Sequence, residues 1–329
     1  IYWDAREEST TPFADLSVLG DASGAARDAP QDIVDNSSLV IVVPNAWSSI
    51  LTDFVAWKKE RGLRVTVARY PFDTGLGKLQ LDAYLEDQYE THGLSHVVVV
   101  GDDDDIPIFQ SSPYPTDTRY TLIDDGDMYH DYFISRISAE SSAQAAYQLE
   151  KILEYESEPD VSANNAWYRK AMCVGSDEGA SKSAFNMDDW ELLDIERTIL
   201  LDYGYSTVDR VYDPGATTSQ VVNAWNVGRS LILYLGHGTY TTWVTTGFEV
   251  DDAYDLANGR ALPFVLNANC KNGNFTLSYD SLAEAMMRAG STDSPAGAIG
   301  VIASTTTADW DPPIVLMQEF DAYITDNTN

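Results

Sequence analysis

The chain has 329 residues, with 52 acidic against 20 basic side chains, a formal charge of -32 and a pI of about 4.1. A polyanion repels phosphate, which argues against nucleic-acid binding and against binding to anionic membranes. Hydrophobic residues make up 44% of the chain, enough for a sizeable core in about two domain-sized units, so whole-chain disorder is disfavoured. No apolar run approaches the roughly 20 residues that span a bilayer.

The cysteine content and the N-terminal residues indicate the redox setting and the processing of the chain. Only Cys173 and Cys270 are present, so the chain is not a disulfide scaffold. Residues 1–37 are polar, acidic and weakly periodic, which predicts an N-terminal extension or the remnant of a propeptide. Because the chain begins with Ile1 and not Met, we expect that an upstream segment has been removed. The excess of acid is typical of a salty or extracellular setting.

From residue 38 onward, short apolar runs alternate with stretches of helical periodicity. Strands are predicted at 39–43, 64–69, 97–100, 132–137, 171–174, 207–212, 231–235, 264–267 and 298–303. Helices are predicted at 46–60, 79–91, 140–156, 188–202, 218–225 and 282–289. This alternation predicts an α/β fold with an open, mostly parallel sheet and helices on both faces. We expect two side-by-side α/β subdomains, the first over residues 38–160 and the second, carrying the chemistry, over residues 161–329.

Polar residues follow several predicted strands, at the edge where loops of a parallel sheet converge. His237 lies between Gly236 and Gly238 directly after one strand, and Cys270 follows the next. A thiolate is a competent nucleophile and a nearby histidine can activate it, so these two residues predict an acyl-transfer pair. The amides of Gly238 and Cys270 would form the oxyanion hole. The alternative is a buried Cys270 and a core His237; Cys173, inside an apolar run, is predicted to be core.

A third group of residues is acidic. Asp102 ends a predicted strand, and Asp124, Asp127, Tyr129 and Asp131 lie within one short segment. Carboxylate and carbonyl oxygens are the ligands that calcium prefers, so the sequence predicts a calcium site, with a solvated acidic loop as the alternative. His92 and His96 are not predicted to bind zinc, because Gly93 breaks the helix that would align them.

Six blocks of sequence, in order, resemble the gingipain-type cysteine peptidases of the caspase-like clan. The resemblance runs from about Leu39 to about Phe320. Its blocks lie at residues 54–64, 234–238, 262–264, 270–275, 283–289 and 302–305. It implies a caspase-like fold, a secreted or cell-surface location, and protein or peptide substrates. It also implies bound calcium, to which Asp124 and Tyr129 would contribute carbonyl oxygens.

Residue by residue, the resemblance assigns the nucleophile to Cys270, the catalytic histidine to His237 and the carboxylate that orients it to Glu178. It places Asp189 opposite a substrate arginine, with Trp310 as the aromatic wall of the same pocket. The rim of this pocket is assigned to Gly236, Ala268 and Ile314, the last replacing a family methionine. Without the resemblance, Glu178 would be interpreted as a solvated loop residue. Asp189 would be interpreted as a carboxylate that stabilises a helix N-terminus, and Trp310 as a core residue.

We therefore expect a secreted, calcium-supported cysteine endopeptidase that cleaves after basic residues, with arginine preferred. Lysine stays open, because Asp188 and Asp311 add acid near the pocket. The family's propeptide is an expected partner. Two rivals remain: a caspase-like peptidase selecting Asn or Asp, and a catalytically decayed calcium-binding adhesion module on the same scaffold.

Overall fold

The computed structural model describes residues 2–3, 37–111, 114–123, 129–159 and 165–325. The strands in this part of the chain are β1 (Tyr2–Trp3), β2 (Ser38–Pro44), β3 (Arg64–Tyr70), β4 (Leu94–Val100), β5 (Phe109–Ser111), β6 (Tyr114–Thr116), β7 (Phe133–Ile137), β8 (Lys170–Gly175), β9 (Thr207–Tyr212), β10 (Leu231–Leu235), β11 (Thr242–Trp243), β12 (Phe248–Glu249), β13 (Phe264–Ala268), β14 (Gly290–Ser291), β15 (Ser294–Pro295) and β16 (Gly300–Ser304). The α-helices are α1 (Thr52–Glu60), α2 (Lys78–His92), α3 (Ser142–Ser157), α4 (Asp189–Tyr203), α5 (Thr218–Val227), α6 (Val250–Tyr254), α7 (Leu282–Arg288) and α8 (Asp311–Ile324).

The first sheet contains four parallel strands in the order β3-β2-β4-β7. Strand β2 is buried on both faces, because alternate side chains point to opposite sides of a sheet. Val40 and Val42 pack in one cluster with residues of α2, whereas Ile41 and Val43 pack in another with residues of α1 and α3. A continuous apolar run is therefore what this central strand requires.

The second sheet contains six parallel strands in the order β1-β16-β13-β10-β8-β9. Helices α4 and α8 contribute to the hydrophobic cluster on one face, and α5, α6 and α7 to the cluster on the other. Cys173 is fully buried within β8, as predicted. The α/β class, with mostly parallel sheets and helices on both faces, is confirmed.

The structure differs from the predicted elements in several places, and helix α6 and the short hairpins β5–β6, β11–β12 and β14–β15 were not predicted at all. The helix predicted at 46–60 begins as a 3-10 turn over Asn45–Leu51 and becomes α-helical only in α1. Helix α8 was not predicted, because Pro312 and Pro313 resemble a loop signal; they lie in its first turn, where no backbone N–H is needed. Strand β1 extends the second sheet from within the predicted extension. The predicted domain boundary at residue 160 lies outside the described residues.

Buried polar contacts join the two sheets' layers. Ser138 Oγ, after β7, donates to Glu284 Oε1 at 2.6 Å, and Arg288 Nη2 donates to the same oxygen at 2.9 Å. Lys151 of α3 donates to the carbonyls of Met287 and Ala296. Since these groups have lost water, each depends on its partner. Among the described residues, no helix combines the length and apolar character needed to cross a bilayer.

We expect Glu284→Ala to lower the free energy of unfolding by about 3 kcal/mol, because it deprives the buried Arg288 guanidinium of one of its anions and removes the carboxylate that accepts from the Ser281 N–H in the capping box of α7. The measurement is urea unfolding followed by tryptophan fluorescence. Arg260→Ala is the control, since its pair with Glu154 is largely exposed and should contribute less than about 1 kcal/mol. Equal destabilisation by the two changes would contradict this role for Glu284.

Candidate active site

The predicted functional residues converge because three neighbouring strands end at the same level. Leu235, the last residue of β10, pairs with Gly175 of β8 on one side and with Ala268 of β13 on the other. His237 and Cys270 each follow their strand by two residues. Parallel strands share a carboxyl edge, so the imidazole and thiol are delivered to one side of the sheet.

The turn that carries His237 is fixed by its backbone. The His237 carbonyl accepts hydrogen bonds from Tyr234 Oη at 2.6 Å and from the Val244 N–H at 3.1 Å. A Cβ built on Gly238 would lie 2.6 Å from the Cys270 carbonyl oxygen and 2.6 Å from Asn269 Cγ. Glycine is required at position 238, because a side chain there would push the histidine turn away from the cysteine turn.

The turn that carries Cys270 is held by a buried asparagine. Asn272 is fully buried; its Oδ1 accepts from Asn267 Nδ2 at 3.0 Å and from Asn269, and its Nδ2 donates to the Thr239 carbonyl. The cysteine turn is thereby tied to the segment after His237. Sequence reasoning missed this role, although three asparagines within residues 267–272 were a visible signal of local side-chain bonding.

Cys270 itself is partly exposed, and the Ala308 N–H lies 3.5 Å from its Sγ. Lys271, the next residue, has a φ of +66°, a left-handed conformation that non-glycine residues rarely adopt. Its N–H donates to Thr306, and the Thr239 N–H donates to Thr242. The amides of Gly238 and Cys270 make no hydrogen bond to any described residue, so both are available to an oxyanion.

Glu178 faces His237. His237 Nε2 and Glu178 Oε2 are 3.2 Å apart, and the two side chains are 44% and 42% exposed. Lys182 donates to the same carboxylate oxygen, and its Nζ lies 4.6 Å from the centre of the Trp310 ring. The hydrogen bond from Lys182, followed by the charge on His237, lowers the pKa of Glu178. Lys182 was not predicted, although its i,i+4 spacing from Glu178 is typical of an ion pair.

Asp189, the acid predicted for the specificity pocket, is fully buried at the first turn of α4. Ser176 Oγ donates to Asp189 Oδ2 at 2.5 Å, and Trp310 Nε1 donates to Oδ1 at 2.9 Å. Burial raises the pKa of Asp189, and these two hydrogen bonds only partly oppose it. Gly179, with a φ of +111°, leaves room for this contact, since its Cβ would lie 2.7 Å from Asp189 Oδ1.

One aromatic side chain, Trp310, lies against both Asp189 and His237. The Trp310 ring packs edge-to-face against His237 at 4.9 Å. Ala268 and Ile314 are buried in the hydrophobic cluster against which Trp310 packs, and Gly236 is closed in by Thr245 Oγ1, 2.8 Å from where its Cβ would be. Trp310 therefore contacts both Asp189 and His237.

Asp188 and Asp311, the two acids that kept a lysine preference possible, accept hydrogen bonds from backbone N–H groups. Asp188 Oδ1 accepts from the Ala180 N–H at 3.4 Å, and the Asp188 N–H donates to Glu191 Oε2 at 2.9 Å. Asp311 Oδ1 accepts from the Ala184 N–H at 2.9 Å. Both carboxylates thus hold the loop over residues 177–188.

The residues predicted for calcium do not all lie together. Asp102 follows the carboxyl end of β4, whereas Asp131 precedes β7; the register pairs Val100 with Ile137, so roughly 20 Å of strand separates the two. One ion cannot bind both carboxylates. Asp131 Oδ2 accepts from the Ile123 N–H at 2.9 Å, and Tyr129 is 81% exposed. Asp124 and Asp127 lie outside the described residues, among which no group of three metal-binding side chains is found.

A thiol, an imidazole and a carboxylate, placed by adjacent parallel strands beside a buried acidic pocket, define an α/β protein of the cysteine-peptidase class. Residues 34–327 match the model of peptidase family C25, and the chain belongs to this family. The sequence-based resemblance to gingipain-type peptidases is confirmed.

Solved and curated relatives agree with this membership. Gingipain R2 of Porphyromonas gingivalis is 32% identical over 293 residues, covering 88% of this chain and 40% of the relative. Gingipain R1 of the same species is 32% identical over 291 residues, covering 88% of this chain and 29% of the relative. A crystal structure of the Arg-specific cysteine proteinase gingipain R superposes with a TM-score of 0.85 at 31% identity, covering 89% of this chain and 68% of that one. The chain spans 40% or less of the length of these curated relatives.

We expect iodoacetamide to modify the native protein once, at Cys270. Cys173 is fully buried, and burial raises the pKa of its thiol, so it should react only after unfolding. Intact-mass spectrometry should show one adduct in buffer and two in denaturant, with Cys270→Ala losing the native adduct. A native adduct on Cys173 would contradict the assignment of the two cysteines.

Proposed function

We propose that the protein is a secreted cysteine endopeptidase that cleaves after basic residues, with arginine preferred. This proposal rests on the contacts that Trp310 makes with both Asp189 and His237. A fully buried carboxylate, Asp189, is held by the same Trp310 that packs against His237. Within the described part of the chain no basic side chain forms an ion pair with Asp189, which favours a cationic substrate side chain, and its place beside His237 favours cleavage next to that side chain.

In this mechanism, the Cys270 thiolate attacks the scissile carbonyl carbon and forms a C–S bond. The amides of Gly238 and Cys270 hold the oxyanion. His237 gives a proton to the leaving amine as the C–N bond breaks; water, deprotonated by the same imidazole, then hydrolyses the thioester and releases the acid. Glu178, at 3.2 Å from Nε2, orients the ring and stabilises the imidazolium, so that Nδ1 serves the thiol and the amine.

The preference for arginine rests on geometry. The two oxygens of Asp189 each accept one hydrogen bond, and a carboxylate offers about four lone-pair sites, so a guanidinium fork can add two more bonds. A bound cation also favours the ionised form that burial disfavours. The solved relative described as Arg-specific supports the same preference. The rival selecting Asn or Asp would require a cationic pocket, and the decayed module would not need Cys270, His237 and Glu178 in this arrangement.

We expect an arginine reporter peptide to be cleaved faster than matched lysine, asparagine and aspartate peptides. Asp189→Asn should lower kcat/KM for the arginine peptide by about 100-fold, because it removes the charge that pairs with guanidinium. Asp188→Asn is the matched control, since this adjacent acid holds backbone and should change kcat/KM little. Cys270→Ala should be inactive. An Asp189→Asn variant that still preferred arginine would contradict the pocket assignment.

The proposal includes structural calcium and export. The oxygen donors at Asp131 and Tyr129, with Asp124 and Asp127, have the chemistry that calcium prefers, and the ion would stabilise their loop. Asp102 is left out of this site because of the register.

A strongly acidic surface suits an extracellular setting and would draw in cationic substrates. We include the enzyme's own propeptide as a partner, because a complex of pro- and mature domains of the relative RgpB, which superposes at a TM-score of 0.83, has been solved.

We expect calcium to raise the thermal unfolding temperature of the wild type, in line with about 2.7 kcal/mol of added stability when its concentration is a hundred times Kd. Asp131→Asn should abolish most of the increase. Asp102→Asn, at the opposite edge of the sheet, should keep it. The proposed site is wrong if calcium leaves the wild type unchanged or if only Asp102→Asn loses the response.

A further inference from the structure

Lys182 contacts both Glu178 and Trp310, the two side chains that lie against His237. Its ammonium donates to Glu178 Oε2, the same oxygen that faces His237 Nε2 at 3.2 Å. The ammonium also lies 4.6 Å from the centre of the Trp310 ring, and the Lys182 N–H donates to the Gly179 carbonyl at 2.8 Å. The carboxylate, the aromatic face and the turn together hold the side chain against the site, although it is 40% exposed.

The surroundings of this lysine are otherwise acidic. Asp177 lies in the same loop, Asp189 faces the cluster from α4, and Asp213 faces it after β9. The thiol of Cys270 and the ammonium of Lys271, which lies over the Tyr240 ring, belong to the neighbouring turn. These carboxylates create a negative electrostatic field around the pair. Lys182 is placed to offset that negative field.

We propose that Lys182 is a positioning residue that shares the Glu178 carboxylate with His237 and so sets the pH range over which the Cys270–His237 pair is reactive. This inference rests on the proposed function. Removing a positive charge makes every proton loss from nearby groups less favourable, whichever of the pair carries the proton. The lysine therefore moves the reactive range to lower pH.

The test measures two pH profiles. The first is kcat/KM on an arginine reporter peptide, and the second is the rate of Cys270 alkylation by iodoacetamide without substrate. In Lys182→Met, both profiles should move to higher pH by about 0.5 unit, the size expected for one partly screened charge. Lys182→Gln should give the same shift, and Lys182→Arg should restore the wild-type profile. The preference for arginine over lysine at a pH within the plateau should be unaltered.

Lys58 provides a matched control. It forms an ion pair with Glu156, and its ammonium lies 5.0 Å from the Phe54 ring, so Lys58→Met removes an equivalent pair away from the site. Its profiles should match the wild type. Unshifted profiles in Lys182→Met, or equal shifts in both variants, would overturn the inference. If the wild type cleaved no reporter peptide, the proposed function would fail, whereas the alkylation profiles would still decide the role of Lys182.

Discussion

Strands β8, β10 and β13 end in register with one another, and the candidate active site depends on this constraint. Backbone pairing fixes Gly175, Leu235 and Ala268 in one row, and the loops that follow deliver the carboxylate, imidazole and thiol from that row. A shift of one residue in any strand would turn its side chains to the opposite face of the sheet. The buried apolar residues of these strands set that register, so the packing of the core determines the geometry of the chemistry.

A second constraint is the close approach of the histidine and cysteine turns. Gly238 removes the side chain that would separate them, and Asn272 bonds to both sides of the gap. Lys271 adopts a left-handed backbone beside Cys270, a conformation that persists only where its surroundings determine it. The N–H groups of Gly238 and Cys270 in these turns make no hydrogen bond to any described residue, as the proposed oxyanion hole requires.

The sequence predicted the α/β class and the strands closely, because parallel strands buried on both faces are continuous apolar runs. It predicted His237 and Cys270 from their place after such strands, and Glu178, Asp189 and Trp310 only through family resemblance. It did not predict Lys182 or Asn272, whose roles depend on contacts between loops that no local pattern encodes. Asp102 and Asp131 were grouped because both are acidic, but sheet register separates them. Helix α8 was missed because prolines begin helices as readily as they end them.

Charge in this protein acts through position more than through its total. The formal charge is -32, and most acidic side chains of the described residues are exposed or half-buried, where water and salt screen them. Asp189 differs, because burial raises its pKa and two neutral donors only partly compensate. Burial therefore holds this carboxylate at a cost in free energy, and under the proposed function a cationic side chain brought against it would offset part of that cost. A neutral side chain of the same size would leave the cost in place. Under the proposed function, discrimination would thus come from the desolvated acid itself, and the surrounding acidic surface would contribute mainly to the rate of encounter.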